Sequence, residues 1–125
     1  DLPFRDRTLL EQSIHEGGAD FVCELIAGTT GKDHLQGFAV PREKELWKEF
    51  SAQMNGTDYS RWLYNGANSS DRPADLGYWV GYRICKTYYD RATDKHEALK
   101  ILLTTGNVTE LLKASGYAEA VAQMP

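Results

Sequence analysis

The feature that most constrains this chain is a helical apolar stripe interrupted by paired glycines. From Thr8 to Ala27, apolar residues recur at Leu10, Ile14, Phe21, Val22 and Leu25, the spacing of an amphipathic helix. Within it, SIHEGGADFV at 13–22 sets Gly17-Gly18 between Glu16 and Asp20. Each glycine costs a helix about 1 kcal/mol relative to alanine. A helix that keeps both has a use for the missing side chains, because a backbone or a ligand can then approach closely. At about 100° per residue, Leu10, Ile14, Gly18, Phe21 and Leu25 share one face. Glu16 and Asp20 fall on nearly the opposite side, with Gln12, Cys23 and Ala27. Ala19, Cys23 and Ala27 are small and unpolar there, which suits close packing by another element.

The rest of the chain reads as helical too. Gly28 stops the first helix, and TTGKDHLQGFAVPR at 29–42 reads as a loop. A helix is expected over Pro41–Met54, with Pro41 in its first turn and Asn55-Gly56 ending it. DYSRWLYN at 58–65 reads as a short helix capped by Asp58, and GANSSDRP as a loop. A long helix follows from Ala74 to Arg91, its start marked by Asp71 to Asp75 and Pro73. Asp94 caps a helix carrying Ala98, Leu99, Leu102 and Leu103. Asn107 caps the next, with Val108, Leu111 and Leu112, and Gly116 ends it. The tail AEAVAQMP is expected to fray. No run alternates as a strand, and there is no internal repeat. The expectation is an all-α fold, a compact bundle of about five helices in one domain over 1–125, with the 8–27 and 74–91 helices at its centre.

Composition excludes some classes. With 125 residues, 42% of them hydrophobic, the chain can bury a core. A net charge of −4 and the lack of a Lys/Arg run argue against nucleic acid. No apolar run approaches the roughly 18 residues of a membrane span. Cys23 and Cys85 each sit in an apolar helical pattern and are expected as buried free thiols, with a disulfide as the alternative if the protein is exported. His34 and His96 read as ordinary surface residues. PREKELWKEF reads as a solvated helix face with Trp47 and Phe50 turned inward. Asp1 in place of a methionine suggests a piece of a longer protein.

Glu16 and Asp20 have a spacing known from zinc sites. A catalytic zinc can be held by the two histidines of HExxH and a glutamate from a later helix. One turn after that glutamate, an aspartate can hydrogen-bond a zinc-bound histidine. The match extends to LLEQSIHEGGADFVCELIAG at 9–28, ELWKEF at 45–50, RWLYNG at 61–66, RPADLGYWVGYRICKTYYDRATDKHEAL at 72–99 and SGY at 115–117. These stretches resemble a bacterial family of zinc-dependent peptidase-like proteins related to the gliding-motility lipoproteins. The resemblance implies Glu16 as third zinc ligand, Asp20 as the residue that orients a liganding histidine, and a peptide or protein substrate. It also favours an exported or periplasmic location. The chain departs from the pattern, because His15, His34 and His96 have no histidine partner at the HExxH spacing. That segment would have to precede Asp1, so the fragment by itself is expected to be inactive and to bind zinc weakly.

Gly77, Gly81 and Cys85 recur every four residues and form a small-residue groove that admits a neighbouring helix. Tyr78, Tyr82 and Tyr89 lie beside it, and Arg83 shares a face with Trp79. Two readings apply. Either the tyrosines are core and Arg83 pairs with a carboxylate, or Tyr78, Tyr82 or Arg83 points at the zinc site and stabilises an oxyanion. The alternative function is a non-catalytic module whose Trp62, Tyr64, Tyr78 and Trp79 line a pocket for a peptide or glycan. Without an HExxH helix, Glu16 and Asp20 are expected in an open groove or at a contact with another copy, so self-association is a further expectation.

Overall fold

The computed structural model describes residues 6–29, 33–67 and 71–125, with the backbone alone at Asp33. Among them every regular element is a helix, and none is a strand. The elements are α1 (Leu9–Ala27), α2 (Asp33–Ala39), a 3-10 turn (Val40–Arg42), α3 (Glu43–Gln53), α4 (Leu76–Arg91), α5 (Lys95–Thr104), α6 (Val108–Ser115) and α7 (Tyr117–Ala122). No helix of the described residues is long and apolar enough to cross a membrane.

α1 and α4 form the centre, and glycine explains how. A Cβ added to Gly81 would overlap the Ser13 carbonyl, and one added to Gly17 would overlap the Tyr82 amide nitrogen. The two backbones therefore touch where a side chain would hold them apart. Gly77 adds to the crossing, since a Cβ there would lie 3.0 Å from Ser13 Oγ and 2.9 Å from Leu63 Cδ2. The glycines of α1 are thus used for packing. Because α4 lies along Ser13 and Gly17, the buried residues of α1 are Leu9, Leu10, Gln12, Ser13, Ile14, Gly17, Gly18 and Phe21. That face is rotated from the one expected, so Leu25 is exposed at the far end while Gln12 is buried.

Both ends of α1 are closed. Thr8 and Glu11 form a capping box, and Gly28 ends the helix in the left-handed conformation at φ 84°. The amides of Leu9 and Leu10 donate to the carbonyls of Gly56 (2.8 Å) and Met54 (2.9 Å), which ties the start of α1 to the end of α3. Around this pair lies an aromatic core. Phe50 and Trp62 meet edge to face at 5.1 Å, and Trp47 and Tyr117 at 5.2 Å. Buried indoles need partners: Trp62 donates to Gln53 Oε1 (2.7 Å) and Trp79 to Gln36 Oε1 (2.9 Å).

Several boundaries differ from the sequence expectation. The supposed loop at 29–42 contains α2, which buries Leu35 and Ala39, although Thr30, Gly31 and Lys32 lie outside the described residues. No helix forms over 58–65. The Asp58 carboxylate accepts from Ser60 N–H (2.9 Å) and starts a turn. α4 begins at Leu76, two residues later than expected, because Asp75 is left-handed at φ 65°. Of the loop GANSSDRP, Asn68, Ser69 and Ser70 lie outside the described residues. The tail does not fray: α7 buries Tyr117 and Val121, and Met124 packs against the core. Cys85 is buried as expected, but Cys23 is exposed.

Candidate functional site

Tyr64 and Asp75 are the only non-glycine residues with positive φ among those described, at 56° and 65°. Such conformations cost on the order of 1–3 kcal/mol each and persist where their surroundings enforce them. Here the side chains of Asp75 and Asn65 hold them. Tyr64 N–H donates to Asp75 Oδ1 (2.9 Å), and Asp75 N–H donates to Oδ1 of the buried Asn65 (2.9 Å). Asp75 therefore caps Tyr64, not its own helix. The outcome is a tyrosine that is 51% exposed yet fixed in place.

The Tyr64 hydroxyl reaches α1. It donates to Glu16 Oε1 (3.1 Å) and accepts from Gln12 Nε2 (2.8 Å), which also donates to Glu16 Oε1 (3.1 Å). Arg7 orients Gln12 through Oε1 (3.1 Å). Tyr78 joins from α4, with its ring at 6.0 Å from Tyr64, edge to face, and the two hydroxyls hydrogen-bonded. Tyr59 flanks the other side at 6.4 Å and donates to the Arg7 carbonyl (2.6 Å). Burial, then the bond to Tyr64, pushes the Tyr78 phenol well above the usual range. Burial likewise raises Tyr64. These phenols stay protonated at neutral pH and act as hydrogen-bond donors.

The sequence-predicted residues divide between this cluster and the core. Glu16 and Tyr78 meet through Tyr64. Tyr82 does not join them: it is buried and donates to Glu24 Oε1 (2.7 Å). Arg83 donates from Nε to Glu43 Oε2 (2.8 Å), which also accepts from Tyr117 (2.7 Å), so it clasps α4 to α3 and α7. Asp20 is half-buried one turn beyond Glu16. Of the aromatic residues expected to line a pocket, Tyr64 and Tyr78 come together, whereas Trp62 and Trp79 lie in the core. Asn65 and Tyr59 are not singled out from sequence, and Gln12 and Asp75 are named there only for their helix positions. The spacing of Gln12 to Glu16, one helical turn, was the available signal.

The Glu16 oxygen is engaged by an amide and a phenol. Among the described residues, no group of three or more His, Cys, Asp or Glu is placed to hold a metal ion. This surface has the makings of a recognition site, with aromatic edges and a carboxylate on a fixed frame. The sequence profile described as Gliding motility protein GldB, a lipoprotein family, matches residues 2–119, and the chain belongs to that family. Neither a curated protein nor a solved structure matches the chain. The family finding corrects the resemblance to zinc-dependent peptidases: the matching family is one of gliding motility, and the reading of the chain as a metallopeptidase part falls with it. Membership of a lipoprotein family agrees with an exported or envelope location.

Proposed function

We propose that this chain is a non-catalytic binding module of the cell envelope that serves gliding motility, and that it holds a peptide or glycan at the Tyr64 surface. The observation that carries this reading is the exposed Tyr64, held in a left-handed backbone at the mouth of the Gln12–Glu16–Tyr78 network. Strain retained at an exposed aromatic residue is characteristic of ligand sites. The family match supplies the setting. Tyr64 and Tyr59 offer ring edges, and the half-buried Glu16 offers a carboxylate to a polar ligand, held in place by the buried Gln12.

The test is a gliding assay on cells carrying Tyr64→Ala, with protein level and location verified. The expected outcome is a severe loss of motility at normal abundance. Screening of envelope peptides and glycans should give ligands that bind the purified chain at least about tenfold more tightly than the variant. Full motility with Tyr64→Ala at equal abundance removes the reading. Self-association is also proposed, through the uncovered side of α1, where Ile26 is 82% and Leu25 43% exposed. Sedimentation equilibrium that shows a monomer at high protein concentration would dismiss it.

A further inference from the structure

A second surface lies between α3 and α7, a groove of about 730 Å³ lined by Pro41, Arg42, Lys44, Trp47, Lys48 and Val121. We propose that this groove docks onto the anionic headgroups of a lipid bilayer. The first argument is charge. The chain carries a net charge of −4, yet Arg42, Lys44 and Lys48 gather along this one groove, with Glu45 as the carboxylate among its lining residues. The second is pairing. Arg61, Arg72, Arg83, Lys86 and Lys113 all sit in ion pairs. Among the described residues, Arg42 and Lys44 instead donate to backbone carbonyls, of Phe38 and Met124, with Arg42 also over the Phe38 ring, and form no ion pair, a state that Lys95 shares outside this groove. The third is shape. The 3-10 turn presents Val40, 55% exposed, and the exposed Pro41 beside the cations. An apolar tip flanked by cations suits the boundary between headgroups and acyl chains, and the half-buried Trp47 in the groove suits the same depth.

Each basic residue near an anionic surface strengthens binding by about fivefold, and salt weakens the effect. The experiment is co-sedimentation of the purified chain with vesicles of phosphatidylcholine alone and of phosphatidylcholine mixed with phosphatidylglycerol. The comparison adds Lys44→Glu/Lys48→Glu, Val40→Asp, and the control Lys86→Glu/Lys113→Glu, which makes the same change in net charge elsewhere. Circular dichroism verifies each fold. The wild type is expected to bind the anionic vesicles and to be released by salt. The groove pair should bind at least about twentyfold more weakly, Val40→Asp should also weaken binding, and the control pair should change affinity less than about threefold. Equal binding to neutral vesicles, or equal losses in the two charge-reversed pairs, overturns the proposal. Absence of binding to either vesicle also overturns it and leaves the groove to an acidic protein segment. Tyr64→Ala should keep full vesicle binding, so this inference and the Tyr64 reading fail separately.

Discussion

At Gly81 a single hydrogen stands where any other residue would carry carbon. Gly81→Ala drives a methyl group into the Ser13 carbonyl, and Gly17→Ala drives one into the Tyr82 amide. Backbone cannot move aside as a side chain can, so α1 and α4 must separate. Each substitution should cost more than about 3 kcal/mol by urea unfolding, beyond any gain in helix propensity. Gly18 is the internal comparison. A Cβ there would meet Cys85 Sγ at an ordinary 3.5 Å. Gly18→Ala should therefore be neutral or stabilise by up to about 1 kcal/mol. The adjacent glycines of one motif are expected to respond with opposite sign. The thiols differ in a similar way. Burial pushes Cys85 up to about 12, whereas Cys23 is exposed. A maleimide reagent at neutral pH should modify Cys23 in the native chain and reach Cys85 after unfolding.

Among the elements, α1 relies on its cap. Thr8 Oγ1 accepts from Glu11 N–H (3.1 Å), and the Glu11 carboxylate accepts from Thr8 N–H (2.8 Å). Thr8→Ala should lower stability by about 1 kcal/mol in thermal unfolding. The threonine and the glutamate three places on could have been read from sequence, as Asp94 and Asn107 were at α5 and α6. Helical periodicity and caps made α1, α3, α4, α5 and α6 legible, because those signals are local. What was not legible depended on distant partners. α2 is too short to show its period, and what stabilises it is the burial of Leu35 and Ala39 under neighbours. The tail gains order as α7 through contact with Trp47. At the candidate site, Glu16 and Tyr78 could be named in advance. Tyr64 and Asp75 could not be placed together, since their left-handed conformations are fixed by hydrogen bonds across eleven residues. The zinc expectation rested on the Glu16–Asp20 spacing together with the wider resemblance, and the family match overturns that resemblance, while spacing carries no information about what each carboxylate touches.

Over the whole molecule, α3, α4 and α7 meet at Glu43, which is 5% exposed between Arg83 and Tyr117. Glu43→Ala strands both partners and should cost about 3 kcal/mol in urea unfolding. Alkali should act in the same direction. Burial holds Tyr78, Tyr82 and Tyr117 above the usual phenol range, with Tyr64, Glu24 and Glu43 adding to the respective shifts, and Cys85 rises with them. In the unfolded chain these groups lose protons near about 8.5 for the thiol and 10 for the phenols. The folded chain retains them to higher pH and so binds more protons across that interval. Stability is therefore intact below about pH 8.5 and falls as pH rises toward 12, and part of the tyrosinate absorbance should appear together with loss of helix. The α1–α4 crossing sets the rhythm of the molecule in time. α4 cannot roll on α1, because Val80 or Tyr82 in the place of Gly81 would bring a side chain into the Ser13 carbonyl. Amide hydrogens near Gly17 and Gly81 should thus exchange with solvent when the entire fold opens, while α5, which buries Ala98 alone among its described residues, opens by itself far more often. The protein then has a slow hub and a quick flank, and the slow part is the frame on which Tyr64 is mounted.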